Sequence, residues 1–304
     1  MFKTNLIHPW TITGLIDAEG SFGVVIIKDD SRSSGFAISI FLEMGLNFKD
    51  KDLLLRIKNT LGVGNIYHNK NDNTFKWKVS NVSDISNVII PYLNKYPLVT
   101  QKRADFEIFT RITKMLENKE HMNCKGLQDI VNLKASLNLG LSEKLKTYFP
   151  NTLPVPKLAV PFRGIPDPFW LSGFAEGEAC FYISTYKSLK SKLGYAVQLV
   201  FKITQHNRDN ELLKGISEYF ACGRIENRKT NASDFTVNSF KSFEEKIIPF
   251  FIKYPLQGSK LLNFQDFKEV VEIMKEKGHL NEKGLQKINL IKANMNYGRE
   301  ENKE

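Results

Sequence analysis

The apolar positions along this chain change their period several times, and each change marks an element. From Ser21 the residues alternate, with Phe22, Val24 and Ile26 on one side and Ser21, Gly23, Val25 and Ile27 on the other. A period of two predicts a strand. The turn-rich run Asp29-Asp30-Ser31-Arg32-Ser33-Ser34-Gly35 predicts a reversal. A second strand follows, with Ile38, Ile40, Leu42 and Met44 opposite Ser39, Phe41, Glu43 and Gly45. The period then lengthens: Leu53, Leu54, Ile57 and Leu61 form one stripe of a helix over Asp50 to Leu61, which Gly62 and Gly64 should end. Two more strands, 65–70 and 74–80, flank the turn Asn71-Asp72-Asn73, and Phe75, Trp77 and Val79 alternate with Lys76, Lys78 and Ser80. Helices are expected over 84–93, 102–118 and 126–137.

The same order occurs again. Val197, Leu199, Phe201 and Ile203 match Ile38, Ile40, Leu42 and Met44 at an offset of 159. After one deletion in the hairpin the offset is 158, and Lys253-Tyr254-Pro255-Leu256 repeats Lys95-Tyr96-Pro97-Leu98. Two divergent copies of one domain follow from this. We expect copies over 1–138 and 168–304, and a linker over 139–167. Pro150, Pro154, Pro156, Pro161 and Pro166 suit an extended, stiff crossing. Each copy reads α-β-β-α-β-β-α, an α+β class with antiparallel sheets that keep one apolar face for the helices.

The other sheet face is rich in hydrogen-bonding and basic groups. It offers Ser21, Ser39, Glu43, Asn65, Tyr67, Asn69, Lys76, Lys78 and Ser80 in the first copy. The second copy offers Tyr182, Ser184, Tyr186, Gln198, Lys202, Thr204, Arg224, Glu226, Arg228, Thr236 and Asn238. A β-ribbon fits the major groove of B-DNA, where Arg, Lys, Asn and Gln read base edges. An ordinary solvated sheet face would carry similar residues. The chain's 304 residues carry a net charge of +10, spread along the sequence, which suits a polyanionic partner, though ribosomal or membrane-surface binding gives the same signal. Three cysteines without CxxC spacing point to a reducing compartment and away from zinc. No apolar run approaches the roughly 20 residues of a membrane span. With the first motif so near residue 1, no transit peptide is expected.

That motif is a short helix at the head of each copy, Ile12-Thr13-Gly14-Leu15-Ile16-Asp17-Ala18-Glu19-Gly20 and Leu171-Ser172-Gly173-Phe174-Ala175-Glu176-Gly177-Glu178-Ala179. Pro9 and Pro168 suit the first turn, and Asp167 stands where an N-cap would. Gly14 and Ala18, and Gly173 and Gly177, lie four apart, a spacing that lets two helix backbones pack closely. Both helices end on an acid, Glu19 and Glu178, where the helix field already disfavours negative charge. If the helices pack together, the two carboxylates repel unless a cation intervenes. With the carbonyls of Ala18 and Gly177 they form a hard oxygen site suited to Mg²⁺. A duplicated structural helix with exposed acids fits the same spacing.

These paired stretches resemble the signatures of the LAGLIDADG homing endonucleases, of the single-chain, intron-encoded type of fungal mitochondria. The resemblance extends over nearly the whole chain. It implies two pseudo-symmetric αββαββα domains whose sheets form a DNA-binding saddle. It also implies a monomer that makes a metal-dependent double-strand break with short 3′ overhangs at a long asymmetric site. Glu19 and Glu178 would be catalytic and metal-binding, with Mg²⁺ active and Ca²⁺ a non-catalytic substitute. Basic and polar groups near the scissile phosphates would be Lys102, Lys260 and Gln205, although the two lysines also fit plain helix-surface positions. Ala179 departs from the usual glycine; if the chain leaves that helix through a left-handed residue, alanine is strained there. An intron-splicing maturase that binds RNA and a non-catalytic DNA-binding regulator remain alternatives on the same scaffold. Retention of both acids favours the nuclease, and a mitochondrial location follows from the resemblance.

Overall fold

A computed structural model describes residues 6–296; the outermost residues of the two expected domains lie outside that range. The chain divides into two compact units, Met1–Arg163 and Gly164–Glu304. Each contains one four-stranded antiparallel sheet. In the first unit the order is β1 (Gly20–Lys28), β2 (Phe36–Asn47), β4 (Thr74–Val79), β3 (Asn65–Asn69). In the second it is β5 (Ala179–Lys187), β6 (Tyr195–His206), β8 (Ala232–Val237), β7 (Arg224–Asn227). The same topology in both units is what the repeat predicts.

One face of each sheet is sealed by helices. In the first unit Phe22, Val24, Ile40, Leu42, Met44, Trp77 and Val79 are buried with Leu53, Leu54 and Ile57 of helix α2 (Lys51–Leu61). The second unit uses more aromatic surface. Phe181 lies 4.8 Å from Phe201, 5.6 Å from Phe264 and 5.4 Å from Phe267, between centroids. The helix expected over 84–93 is longer, running 82–95 (α3), and contains a π turn at Ile85–Ile89 just ahead of Pro91. The second unit repeats this in a helix running 240–253 (α9), with its π turn at Phe243–Ile247 ahead of Pro249. The wider turn accommodates a proline that cannot donate to the α-helical ladder. Helices α4 (Lys102–Glu117) and α5 (Cys124–Ala135) complete the first unit's helical layer.

The stretch between the two copies differs from its expectation. Ser142 caps a short helix, α6 (Glu143–Tyr148), whose Leu145 is buried. The residues beyond it are strapped to the first unit. Ser136 Oγ donates to the carbonyl of Val155 at 2.6 Å, and Gln101 and Val160 exchange two hydrogen bonds. Proline limited the helix to six residues but did not keep the stretch away from the core.

The first signature helix is α1 (Pro9–Glu19) and the second is α7 (Pro168–Glu178); Asp167 accepts from the Phe169 N–H at 2.8 Å, as an N-cap should. The expected left-handed exit does not occur. Gly20 has φ −72° and Ala179 φ −84°, both extended, because each helix runs straight into a strand. Gly20 is needed for a different reason. A Cβ there would meet the Ile16 carbonyl oxygen at 2.6 Å and Ile16 Cγ2 at 2.8 Å. The second copy has Ala175 in place of Ile16, which removes the side-chain half of that conflict and makes room for Ala179. A left-handed residue does end the next helix of each copy: Gly62 with φ 74° after α2, and Ala221 with φ 48° after α8 (Asn210–Phe220). Among the described residues no helix is long and apolar enough to cross a membrane.

Candidate active site

Each unit builds the same small constellation at the end of its signature helix. The last carbonyls of an α-helix have no partner within the helix. In the first unit Lys102, the first residue of α4, supplies one: its Nζ donates to the carbonyls of Ile16 at 3.0 Å and Ala18 at 3.3 Å. In the second unit Lys260, the first residue of α10 (Lys260–Lys275), donates to Ala175 at 3.2 Å and Gly177 at 2.9 Å. The ammonium also opposes the partial negative charge of the helix end. Glu19 is exposed and Glu178 half-buried, each on the residue directly after the lysine-bound carbonyl.

Sequence reading passed over what holds the lysines there. Asp17, buried inside the apolar signature, accepts from the N–H of Val99 at 2.9 Å, the N–H of Thr100 at 3.2 Å and Thr100 Oγ1 at 2.6 Å. Glu176 accepts from the N–H groups of Gln257 at 2.7 Å and Gly258 at 3.0 Å. These acids clamp the loop that begins the lysine-bearing helix. The signal was present: a carboxylate in an apolar helix must find partners. Thr13 and Ser172 add a second tie, donating to the carbonyls of Tyr96 and Pro255 at 3.1 and 3.2 Å.

The donor set suits a hard cation that keeps much of its own water. Each unit brings one terminal carboxylate and helix-end carbonyls, and the described residues contain no group of three or more His, Cys, Asp or Glu that could hold a metal. Mg²⁺ is commonly bound in this way, through one or two carboxylates plus phosphate and water. Glu19 with Ala18, and Glu178 with Gly177, are therefore the residues that fit a divalent ion. Gln205 pairs with Ser233 near the end of β6, two residues beyond Ile203, the partner of Ala179. It thus lies by the exit of α7, and its strand parity is that of the helix-covered residues Phe201 and Ile203.

The uncovered sheet faces gather the other expected residues in matching rows. In the first unit Ser21, Glu43, Lys78 and Asn65 run across all four strands. Tyr67 pairs with Lys76, Ser39 with Val25, and Ser80 follows β4. Glu43 bridges Lys76 at 3.2 Å and Lys78 at 3.6 Å. Asn69 is turned into the hairpin instead, donating to Asp72 at 2.8 Å. In the second unit the row is Cys180, Lys202, Thr236 and Arg224, with Tyr182, Ser184, Gln198 and Tyr186 farther along β5 and β6.

A carboxylate that sequence reading passed over, Asp234, organises this second face. It accepts from Lys202 at 3.0 Å, Thr204 at 2.7 Å and Arg228 at 2.8 Å. Burial works against its charge, but these donors prevail and hold its pKa below the ordinary carboxylate value. Thr236, expected on the open face, is buried there; it donates to Glu226 at 3.0 Å, and Arg224 reaches both Glu226 and Asn238. These cations stand preassembled, their geometry fixed by acids on the same sheet.

Each unit thus joins a basic, hydrogen-bonding strand face to a helix that ends on an acid. Residues 12–113 and 171–271 match the model of the LAGLIDADG endonuclease family, and the chain belongs to that family. It is 36% identical over 292 residues to the probable intron-encoded endonuclease 3 of Neurospora crassa; the match takes in 95% of this chain and 54% of that protein, so the chain spans about half of that relative's length. Among solved structures it is similar to the LAGLIDADG homing endonuclease I-LtrWI bound to target DNA, at 51% identity and a TM-score of 0.93 over 95% of this chain and 98% of that one. It is also similar to I-SmaMI bound to cleaved DNA, at 37% identity and a TM-score of 0.94 over 96% and 98% of the two chains. I-SmaMI is known as well on an uncleaved target in the presence of calcium ions.

Proposed function

We propose that this protein is a homing endonuclease that binds a long, asymmetric double-stranded DNA site as a monomer and cuts both strands, leaving short 3′ overhangs. The observation that carries this reading is the constellation repeated in both units: a signature helix ending on a glutamate, with a lysine ammonium on its last carbonyls. Glu19 with the Ala18 carbonyl, and Glu178 with the Gly177 carbonyl, would hold Mg²⁺, with Ca²⁺ as a non-catalytic substitute. Held by these residues, a divalent ion would supply Lewis-acid activation of water and counter-charge for the leaving oxygen. Lys102 and Lys260 bring fixed positive charge to the same carbonyls, where it offsets the charge of an incoming phosphate. Gln205 offers a neutral donor and acceptor beside the second helix end.

The strand faces bind. Lys76, Lys78, Lys202, Arg224 and Arg228 neutralise phosphates or read base edges, and Asn65, Tyr67, Gln198, Tyr182 and Tyr186 add contacts. The two faces carry different residues at matched positions, so an asymmetric target follows. An origin in a fungal mitochondrial intron, with action in the mitochondrion, agrees with this reading. The test is a cleavage selection on a randomised duplex library with Mg²⁺. The proposal expects one long, non-palindromic sequence cut on both strands. Recovery of no cleaved sequence, or of perfect palindromes only, would refute it.

A further inference from the structure

We infer that the β1–β2 part of the first unit's uncovered face reads thymine through its 5-methyl group, while the matching part of the second unit reads its half-site by hydrogen bonds. This rests on the proposed endonuclease reading. Beyond the row of Ser21 and Glu43, three successive pairs face outward on β1 and β2: Gly23 with Phe41, Val25 with Ser39, and Ile27 with Ala37. Their only hydrogen-bonding side chain is Ser39. Val25 is 37% exposed and Ile27 61% exposed, although they lie on the face that carries the unit's basic row. Phe41 is fixed in place. A Cβ on Gly23 would come within 2.1 Å of its ring, so the ring lies across β1 at that residue, and the Lys78 ammonium sits 3.7 Å from its centroid.

The corresponding pairs of the second unit are Tyr182 with Val200, Ser184 with Gln198, and Tyr186 with Ala196. They supply two phenols, a hydroxyl and an amide. In the major groove every base pair presents donors or acceptors, and only thymine presents a methyl. Val25, Ile27 and Phe41 cannot satisfy the polar edge of a G·C pair, and covering that edge leaves it without partners. Against a thymine methyl the same side chains bury apolar surface on both sides.

The experiment selects bound duplexes from a randomised library in Ca²⁺, with the wild type and with the double variant Val25→Ser, Ile27→Ser. Both residues are solvent-exposed, so the variant keeps its core. The inference expects thymine preference at several positions of one half-site, relaxed in the variant at those positions alone. Replacing those thymines by deoxyuridine should weaken wild-type binding about fourfold per methyl. The variant should lose that discrimination at the positions facing residues 25 and 27, and keep at most the share contributed by Phe41. Deoxyuridine tolerated at no cost by the wild type, or a variant that keeps the full discrimination, overturns the inference while leaving the endonuclease reading intact. Failure to select any duplex overturns both.

Discussion

Replacing Asp17 by asparagine is the sharpest probe of how the fold sets the site. The two carboxylate oxygens take different donors: Oδ2 accepts from the Val99 N–H, and Oδ1 from the Thr100 N–H and hydroxyl. An amide has one acceptor oxygen, so in either orientation its NH₂ faces a backbone N–H. Losing a bond to a charged acceptor and leaving a buried donor unpaired costs about 1.5–3 kcal/mol. Removing the buried charge returns part of that, for a net loss of about 2 kcal/mol. For a unit the size of Met1–Arg163 this lowers the melting temperature by about 4–8 °C. The functional effect should exceed the loss of stability. Thr100 lies two residues before Lys102, whose ammonium must reach the carbonyls of Ile16 and Ala18. A displacement of about 1 Å at such a group can cost on the order of 100-fold in rate. Differential scanning calorimetry gives the first quantity, and single-turnover cleavage below the melting range gives the second. DNA affinity should stay within about twofold, because the strand faces are untouched. An Asp17→Asn protein that melts with the wild type and cuts at the wild-type rate would refute the clamp.

Three further outcomes follow from the packing. Ala221→Gly should stabilise the second unit by about 1 kcal/mol, since its φ of 48° strains alanine but not glycine; an unchanged or lower melting temperature contradicts this. Gly20→Ala should destabilise the first unit by about 1–3 kcal/mol. Combined with Ile16→Ala it should lose less than the sum of the two single changes, so strict additivity in a double-mutant cycle counts against the contact. Because the folded pKa of Asp234 is depressed, its contribution is present above the ordinary carboxylate pKa of about 3.9 and is lost as pH falls through the lower folded value. Asp234→Asn should therefore flatten the loss of stability below about pH 4, and melts that fall equally steeply in both proteins would oppose this.

Much of this architecture was legible because the repeat and the strand alternation are local signals. Phe22, Val24 and Ile26 could face only one way, and Lys253-Tyr254-Pro255-Leu256 announces the second copy by identity alone. The signature acids at 19 and 178 stood out for the same reason. What escaped were contacts between distant parts of the chain. Asp17 and its partner Val99 lie 82 residues apart, and nothing near either names the other. Lys102 and Lys260 were legible as matched lysines, yet their place on the helix-end carbonyls depends on how α4 and α10 pack. Ala179 misled because a glycine after a helix usually marks a left-handed turn, whereas Gly20 answers to the bulk of Ile16. The prolines of the linker concealed the cap at Ser142 and the apolar Leu145, which together suffice for a short helix. Thr236 alternates correctly but donates to Glu226, a diagonal contact between β8 and β7 that alternation alone does not reveal.

The central claim is that Glu19 and Glu178 perform the chemistry while the strand faces bind, and a pair of isosteric substitutions tests it directly. Glutamine at either position keeps the shape and one acceptor oxygen but removes the charge that would hold a divalent ion at the helix end. On a duplex recovered by selection, Glu19→Gln and Glu178→Gln are each compared with the wild type for double-strand cleavage in Mg²⁺ and for binding in Ca²⁺. The account predicts that each variant alone loses double-strand cleavage and keeps DNA affinity at or slightly above the wild-type value. Double-strand cleavage by either variant at a near wild-type rate would contradict it.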